Sequence, residues 1–275
     1  MKNNQIFIGA SVIILIVFAG VFQASRAKLT KTSQAKDNPD THASHMETEK
    51  NEPSEVVSLD VTFEIPKNDF GQSVIQEKFV KMRQDHNNNN DIVGYLKVGN
   101  TTIDYPVVQS SDNKYYLERD IDGRHDSAGS IYLDYENDVQ RQDRNTVIYG
   151  HNMNRDYMFH SIRYFRDQAF FNENRFITFD TLYGNQTWEV FAFYKTDTKF
   201  KYIRVFFEDD DDFMNMVNEM KARSMYDTGV ELTPDDRILT LSTCSNQETD
   251  TRLVVNARLV ESSVYADIAP NMFYD

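Results

Sequence analysis

Cys244 is the single cysteine of the chain, and it closes an alternating, strand-like run, Arg237–Cys244 (RILTLSTC). A thiolate is a strong nucleophile near neutral pH when a base or a cation lies beside it. A lone thiol is more often buried and inert. Here polar residues flank it (Ser242, Thr243, Ser245, Asn246) where the chain leaves the strand. Strand ends that meet loops are common places for sites. A proton acceptor is the next requirement. Of the six histidines, His42 and His45 lie in a polar stretch and His86 borders Asn87–Asn90. His125 lies in a Gly/Asp-rich loop, and His160 falls within a helical pattern. His151 alone ends a strand-like run, Thr146–Tyr149, with Gly150 between. Gly150 is expected to let the backbone bend just before the imidazole. Position alone leaves a functional and a structural role equally open for His151.

Arg252 follows Cys244 by eight residues. If the segments before and after Ser245–Asp250 pair as strands, they lie about 4.8 Å apart, and the guanidinium reaches over the thiol. Arginine stays protonated near neutral pH and cannot act as a base. It can donate hydrogen bonds to a carbonyl oxygen as charge develops there. A surface ion pair with Glu248 or Asp250 is an equally simple use of the same residue.

These residues need a scaffold, and the sequence carries one. Val74, Ile75, Phe79 and Met82 fall at helical spacing within Gly71–Asp85, which predicts an amphipathic helix. Ile92–Val98 and Thr101–Val108 flank Gly99-Asn100, a hairpin signal. Asp112–Arg119 reads as a short capped helix and Tyr157–Asp167 as another. Further strands are expected at Ser130–Asp134, Thr146–Tyr149, Arg175–Leu182, Thr187–Thr196, Arg237–Thr243 and Arg252–Val260. Eight strands with little helix between them predict a mostly antiparallel barrel or sandwich with peripheral helices. An insertion, Asp197–Thr233, holds the acidic run Glu208–Asp212 ahead of Phe213–Arg223. That run lacks the Gly-containing spacing of a calcium loop and reads better as the acidic start of a helix.

Composition removes other classes. One cysteine forms no intrachain disulfide and no Cys₂His₂ or Cys₄ zinc site. The chain has 275 residues, 29 basic and 43 acidic side chains, and a net charge of −14. Residues 1–60 hold 6 basic and 7 acidic side chains, so the charge belongs to the body. An acidic body argues against a nucleic-acid-binding face. Residues 3–25 carry no charge, and Ile6–Phe22 is a near-continuous apolar run. At ~1.5 Å per residue its length is about 26 Å, at the short end for a bilayer core. It exceeds the usual h-region of a cleaved signal peptide, so residues 1–25 are expected to anchor the chain in a membrane. Lys2 precedes the run, and Arg26, Lys28 and Lys31 follow it; the positive-inside rule alone would leave the body in the cytoplasm. Residues 26–60 read as a flexible polar linker, and 61–275 as one catalytic domain.

Taken together, several segments resemble the sortases, the membrane-anchored cysteine transpeptidases of Gram-positive bacteria. They are Thr240–Cys244 (TLSTC), Asp250–Leu259 (DTRLVVNARL) with Arg252, and Val147–Met153 (VIYGHNM). Asp91–Leu96, Ile103–Gln109, Asp112–Leu117 and Gly129–Asp134 are similar to class B members in particular, as are the N-terminal helix and the helix-bearing insertion. The resemblance runs from about residue 71 to 261. It implies an eight-stranded sortase-type β-barrel, with Cys244 as nucleophile, His151 as acid and base, and Arg252 as oxyanion donor aided by the Ser245 N–H. Ser242, Thr243 and Ser245 are its candidate substrate-binding positions. It implies a sorting-signal-bearing surface protein as substrate, cleaved at a Thr–Gly-like bond through a thioacyl enzyme. The acceptor would be a cell-wall peptide amine (of lipid II or peptidoglycan). It implies no metal or organic cofactor, and an extracellular body on an N-terminal membrane anchor.

Two other classes compete. L,D-transpeptidases also pair Cys with His, but set the cysteine in a Ser-x-Gly-Cys type context, and Ser242-Thr243-Cys244 lacks that glycine. A membrane-tethered β-barrel binding module with a buried thiol is the non-enzymatic reading, and thiol titration separates it.

Overall fold

The computed structural model describes residue 67 and residues 74–141, 143–153, 156–244 and 251–264. Eight strands close a barrel in the order β1-β2-β3-β4-β7-β8-β6-β5. They are β1 (Ile92–Val98), β2 (Asp104–Val108), β3 (Tyr132–Leu133) and β4 (Asn145–His151). After them come β5 (Phe176–Thr181), β6 (Gly184–Asp197), β7 (Ile238–Cys244) and β8 (Thr251–Val264). The expected eight-stranded, mostly antiparallel barrel is what forms. Two pairings are parallel, β2 with β3 and β4 with β7, and the second of these builds the site.

Alternation sets the two faces of each strand. Leu96, Val107, Ile148, Phe179, Phe193, Leu241 and Val255 belong to the main core cluster. On the other face of β6, β7 and β8, the residues Phe191, Tyr194, Ile238 and Val254 pack with the insertion helix α3 (Asp210–Arg223). That helix buries Phe213, Met216, Val217 and Met220, an i, i+3, i+4, i+7 stripe. Each such side chain contributes roughly 1.5–3 kcal/mol on burial. The acidic run starts the helix: Asp209 accepts the Asp212 N–H at 2.8 Å. Acidic groups fill its first turn, and Lys221 and Arg223 its last, matching the helix dipole.

Tertiary bonds shift several expected boundaries. The N-terminal helix α1 spans Glu77–Asp85, not 71–85, because Gln76 is tied to β5. Its N–H donates to Leu182 O at 2.8 Å and its side chain to Thr181 O at 2.7 Å. Asp112–Arg119 contracts to a 3₁₀ turn, Tyr115–Glu118, capped by Asp112 through the N–H groups of Lys114 and Tyr115. These bonds hold the Asp112 carboxyl below its usual range. The expected helix at 157–167 is a 3₁₀ turn at His160–Arg166, and a short helix α2, Gln168–Glu173, follows on an Asp167 cap.

The expected membrane anchoring is corrected. Among the described residues no helix is long and apolar enough to cross a membrane. The longest described helix, α3, has 14 residues, about 21 Å at ~1.5 Å per residue, and charged ends. Ile6–Phe22, which carried the expectation, and the linker 26–60 lie outside the described residues, so the anchored, extracellular placement built on them is not retained. All described residues fall within the unit Leu59–Asp275.

Candidate active site

The parallel β4/β7 pair aligns Tyr149 with Ser242, Gly150 with Thr243, and His151 with Cys244. The antiparallel β7/β8 pair aligns Thr240 with Asn256 and Ser242 with Val254. That pairing ends there, and Arg252, the second residue of β8, lies two residues from Val254 as Cys244 lies two from Ser242. Directly paired positions share a face. Positions 151 and 244 therefore share a row at the end where β4 and β7 stop, and Arg252 lies at the adjoining end of β8. His151 lies about 90 to 100 positions before the other two, and the parallel pairing brings it beside Cys244.

Local packing explains the residue before the histidine. A Cβ on Gly150 would lie 2.5 Å from Ile131 Cδ1 and 2.7 Å from Phe159 Cγ. Gly150 does not adopt a positive φ. It is glycine for close approach, not for the expected bend, and β4 runs straight through to His151. Half-buried His151 brings Nε2 within 2.8 Å of the Leu117 carbonyl. A carbonyl only accepts, so Nε2 carries the proton and Nδ1 is the nitrogen free to exchange one in the neutral ring.

Beneath that row the same face is closed. Tyr149 donates its O–H to Asp134 at 2.7 Å. Burial, and then the Asp134 charge, push its phenol far above the usual range. The Ser242 hydroxyl lies 2.9 Å from the Tyr202 hydroxyl and is 1% exposed. Thr243, on the opposite face of β7, is equally buried, and its Oγ1 accepts the Leu253 N–H at 2.9 Å. Ser245 lies outside the described residues, as does the side chain of Cys244. The remaining described histidines are placed elsewhere. His86 pairs with Asp122, and His125 forms a β-bridge with Arg119. His160 bonds the Met153 carbonyl. Two participants escaped the sequence reading. The Leu117 carbonyl is a backbone group, and Tyr202 sits in an insertion read only for its helix.

Residues 96–260 match the family model of the sortase domain. The chain is 39% identical over 177 residues to sortase B of Staphylococcus aureus, covering 64% of this chain and 72% of that protein. It is 38% identical over 174 residues to sortase B of Listeria monocytogenes, covering 62% and 71%. The chain belongs to the class B sortases. Solved sortase B structures share its fold. The S. aureus sortase B–substrate complex superposes with a TM-score of 0.65 at 36% identity, covering 68% of this chain and 87% of that one. A Bacillus anthracis sortase B bound to AAEK1 gives 0.63 at 38% identity, covering 72% and 89%. As a class B sortase, the protein is a cysteine transpeptidase that anchors surface proteins to the cell wall.

Proposed function

We propose that Cys244, His151 and Arg252 carry the transpeptidation, acting on a sorting signal at a Thr–Gly-like bond. The Cys244 thiolate adds to the threonine carbonyl carbon. The oxygen takes the electron pair and faces the Arg252 guanidinium, with the Ser245 N–H as second donor. Collapse forms the thioester and breaks the C–N bond, and the leaving amine takes its proton from Nδ1 of the His151 imidazolium. A wall-peptide amine of a Gram-positive cell then adds to the thioester and gives its proton to the same nitrogen. The C–S bond breaks, and the thiolate is regenerated. One peptide bond is exchanged for another, so no cofactor enters the balance. Ser242, Thr243 and Ser245 belong to the substrate-binding wall. The first two, with hydroxyls tied to Tyr202 and Leu253, act by shaping it.

The observation that supports this reading is the pairing of position 151 with position 244, with Arg252 at the adjoining end of β8. The substrate-bound S. aureus relative, 36% identical, supports a sorting-signal substrate. The test is cleavage of a peptide library by the folded protein, with and without an added peptide amine, read by mass spectrometry. The intact enzyme should transfer the acyl fragment to the amine, and Cys244→Ala should do neither step. Unchanged cleavage by that variant would falsify the assignment.

A further inference from the structure

The Leu117 carbonyl that holds His151 belongs to a 3₁₀ turn, Tyr115–Glu118, and the structure shows what holds that turn. Tyr116 is 2% exposed. Its O–H donates to Asp91 Oδ2 at 2.8 Å and receives Asn89 Nδ2 at 3.2 Å. Burial, opposed by the Asn89 bond and reinforced by Asp91, pushes its phenol well up, so it stays a donor. Asn89 Nδ2 also reaches Ile121 O at 2.6 Å, and the Asp91 N–H closes back on Asn89 Oδ1 at 2.9 Å. Asp91 immediately precedes β1, so the turn is pinned to the barrel wall.

The other side of the turn is equally close. Ser130 N–H donates to Tyr116 O at 3.0 Å. Gly129, at φ +62°, leaves room where a Cβ would stand 2.4 Å from Leu117 O and 2.7 Å from Tyr116 O. The carbonyl that meets His151 Nε2 thus sits between a buried phenol bonded to a half-buried carboxylate and a glycine with no side chain.

We infer that Asp91 and Tyr116 are positioning residues for catalysis: their hydrogen bond fixes the Leu117 carbonyl, which holds the His151 proton on Nε2 and leaves Nδ1 for the substrate amine. Neither residue touches the reacting atoms. The inference rests on His151 being the acid and base of the reaction. Losing the clamp lets the carbonyl drift and the ring exchange tautomers and orientations, a loss on the reacting nitrogen and not on substrate binding. Small misplacements of a reacting group are known to cost up to about 10²-fold.

Tyr116→Phe keeps the ring and removes the one hydroxyl. With ¹⁵N-labelled histidine, His151 in the intact enzyme should show the Nε2–H tautomer, and Tyr116→Phe should show a mixture. Its kcat should fall about 10-fold with KM for the sorting peptide unchanged. Asp91→Asn, which can still accept through its amide oxygen, should retain more of the tautomer and of kcat than Asp91→Ala. A pure Nε2–H signal in Tyr116→Phe, or a loss confined to Tm or to KM, overturns the clamp. An active His151→Ala protein would instead sink the assignment of His151, while the tautomer measurement would still report on the clamp.

Discussion

One face of β4, β7 and β8 is used twice, at opposite ends, with opposite outcomes. At the Asn145 end the row is polar and sealed. Asn145, Thr240 and Asn256 are each 0% exposed. Thr240 Oγ1 donates to Asn145 Oδ1 and receives Asn256 Nδ2, both at 2.8 Å. Asn145 Nδ2 donates to the carbonyls of Tyr202 and Arg204 at 3.1 and 2.8 Å. At the other end His151 and Arg252 are half-buried, and the Leu117 carbonyl tethers the imidazole. The strands and registers are shared, so the difference lies in the cover. The insertion between β6 and β7 lays its backbone over the closed end, whereas the turn at Tyr115–Glu118 reaches the imidazole at the open one. Polar groups bonded within the protein add stability and specificity, although Asn256 Oδ1 at this end makes no hydrogen bond. Polar groups left with spare capacity are available for chemistry.

Substitutions at the two ends should therefore separate activity from stability. The largest effect belongs to the open end. Arg252→Ala should lower kcat/KM at least about 10²-fold, as for loss of an oxyanion donor. His151→Ala should act comparably through lost acid–base transfer. Neither should move Tm by more than about 3 °C. Peptide-cleavage kinetics beside thermal melts check both, and a collapsed Tm with normal residual kinetics would erase the distinction. Next comes Asn145→Ala at the closed end. It strands two carbonyls and the Thr240 hydroxyl, a cost of about 2–3 kcal/mol. Tm should fall by roughly 5–10 °C, with kcat of the folded fraction within about two-fold. A selective loss of kcat at full stability would show the two ends to be coupled.

Gly150→Ala probes the strand joining the ends. Its Cβ meets Ile131 and Phe159, and forcing a methyl into such packing costs about 1–3 kcal/mol. Because β4 must shift at the residue before His151, both Tm and kcat should fall. If kcat holds while Tm drops, the strain has been absorbed by Phe159 and not passed along the strand.

Much of this comparison was legible in the sequence, and the gaps have physical causes. Alternation exposed all eight strands, and the types of Cys244, His151 and Arg252 suggested the chemistry proposed for them. The partnership of β4 and β7 was hidden, because a parallel pairing between segments some 90 residues apart leaves no local pattern. The start of α1 was misplaced because Gln76 spends its N–H and amide on β5, a tertiary event that propensity does not report. Gly150 was read as a hinge because a glycine signals either φ freedom or lack of space, and sequence does not separate the two. The hold on His151 was invisible because a backbone carbonyl has no residue type.

The smallest effect lies in the cover itself. Arg204, whose carbonyl receives Asn145, is gripped by Asp212 through contacts of 2.8 and 3.0 Å. Those bonds, and then the Glu208 N–H, hold the Asp212 carboxyl below its ordinary value. A carboxyl lowered in the folded state stabilises the fold above its unfolded value of about 3.9. That contribution is lost as pH falls through the lowered folded range. Asp212 and Arg204 are both partly open to solvent, so screening keeps the effect small. Asp212→Asn should therefore melt at most a few degrees below the parent at neutral pH. The gap should close as pH drops below about 4, because the parent then loses the same charge. Its kcat should match the parent, since the open end does not depend on this grip. Melts of both proteins across that pH range decide it. A gap that persists in acid would mean that Asp212 acts through its shape as a helix-start group, and not through its charge on Arg204.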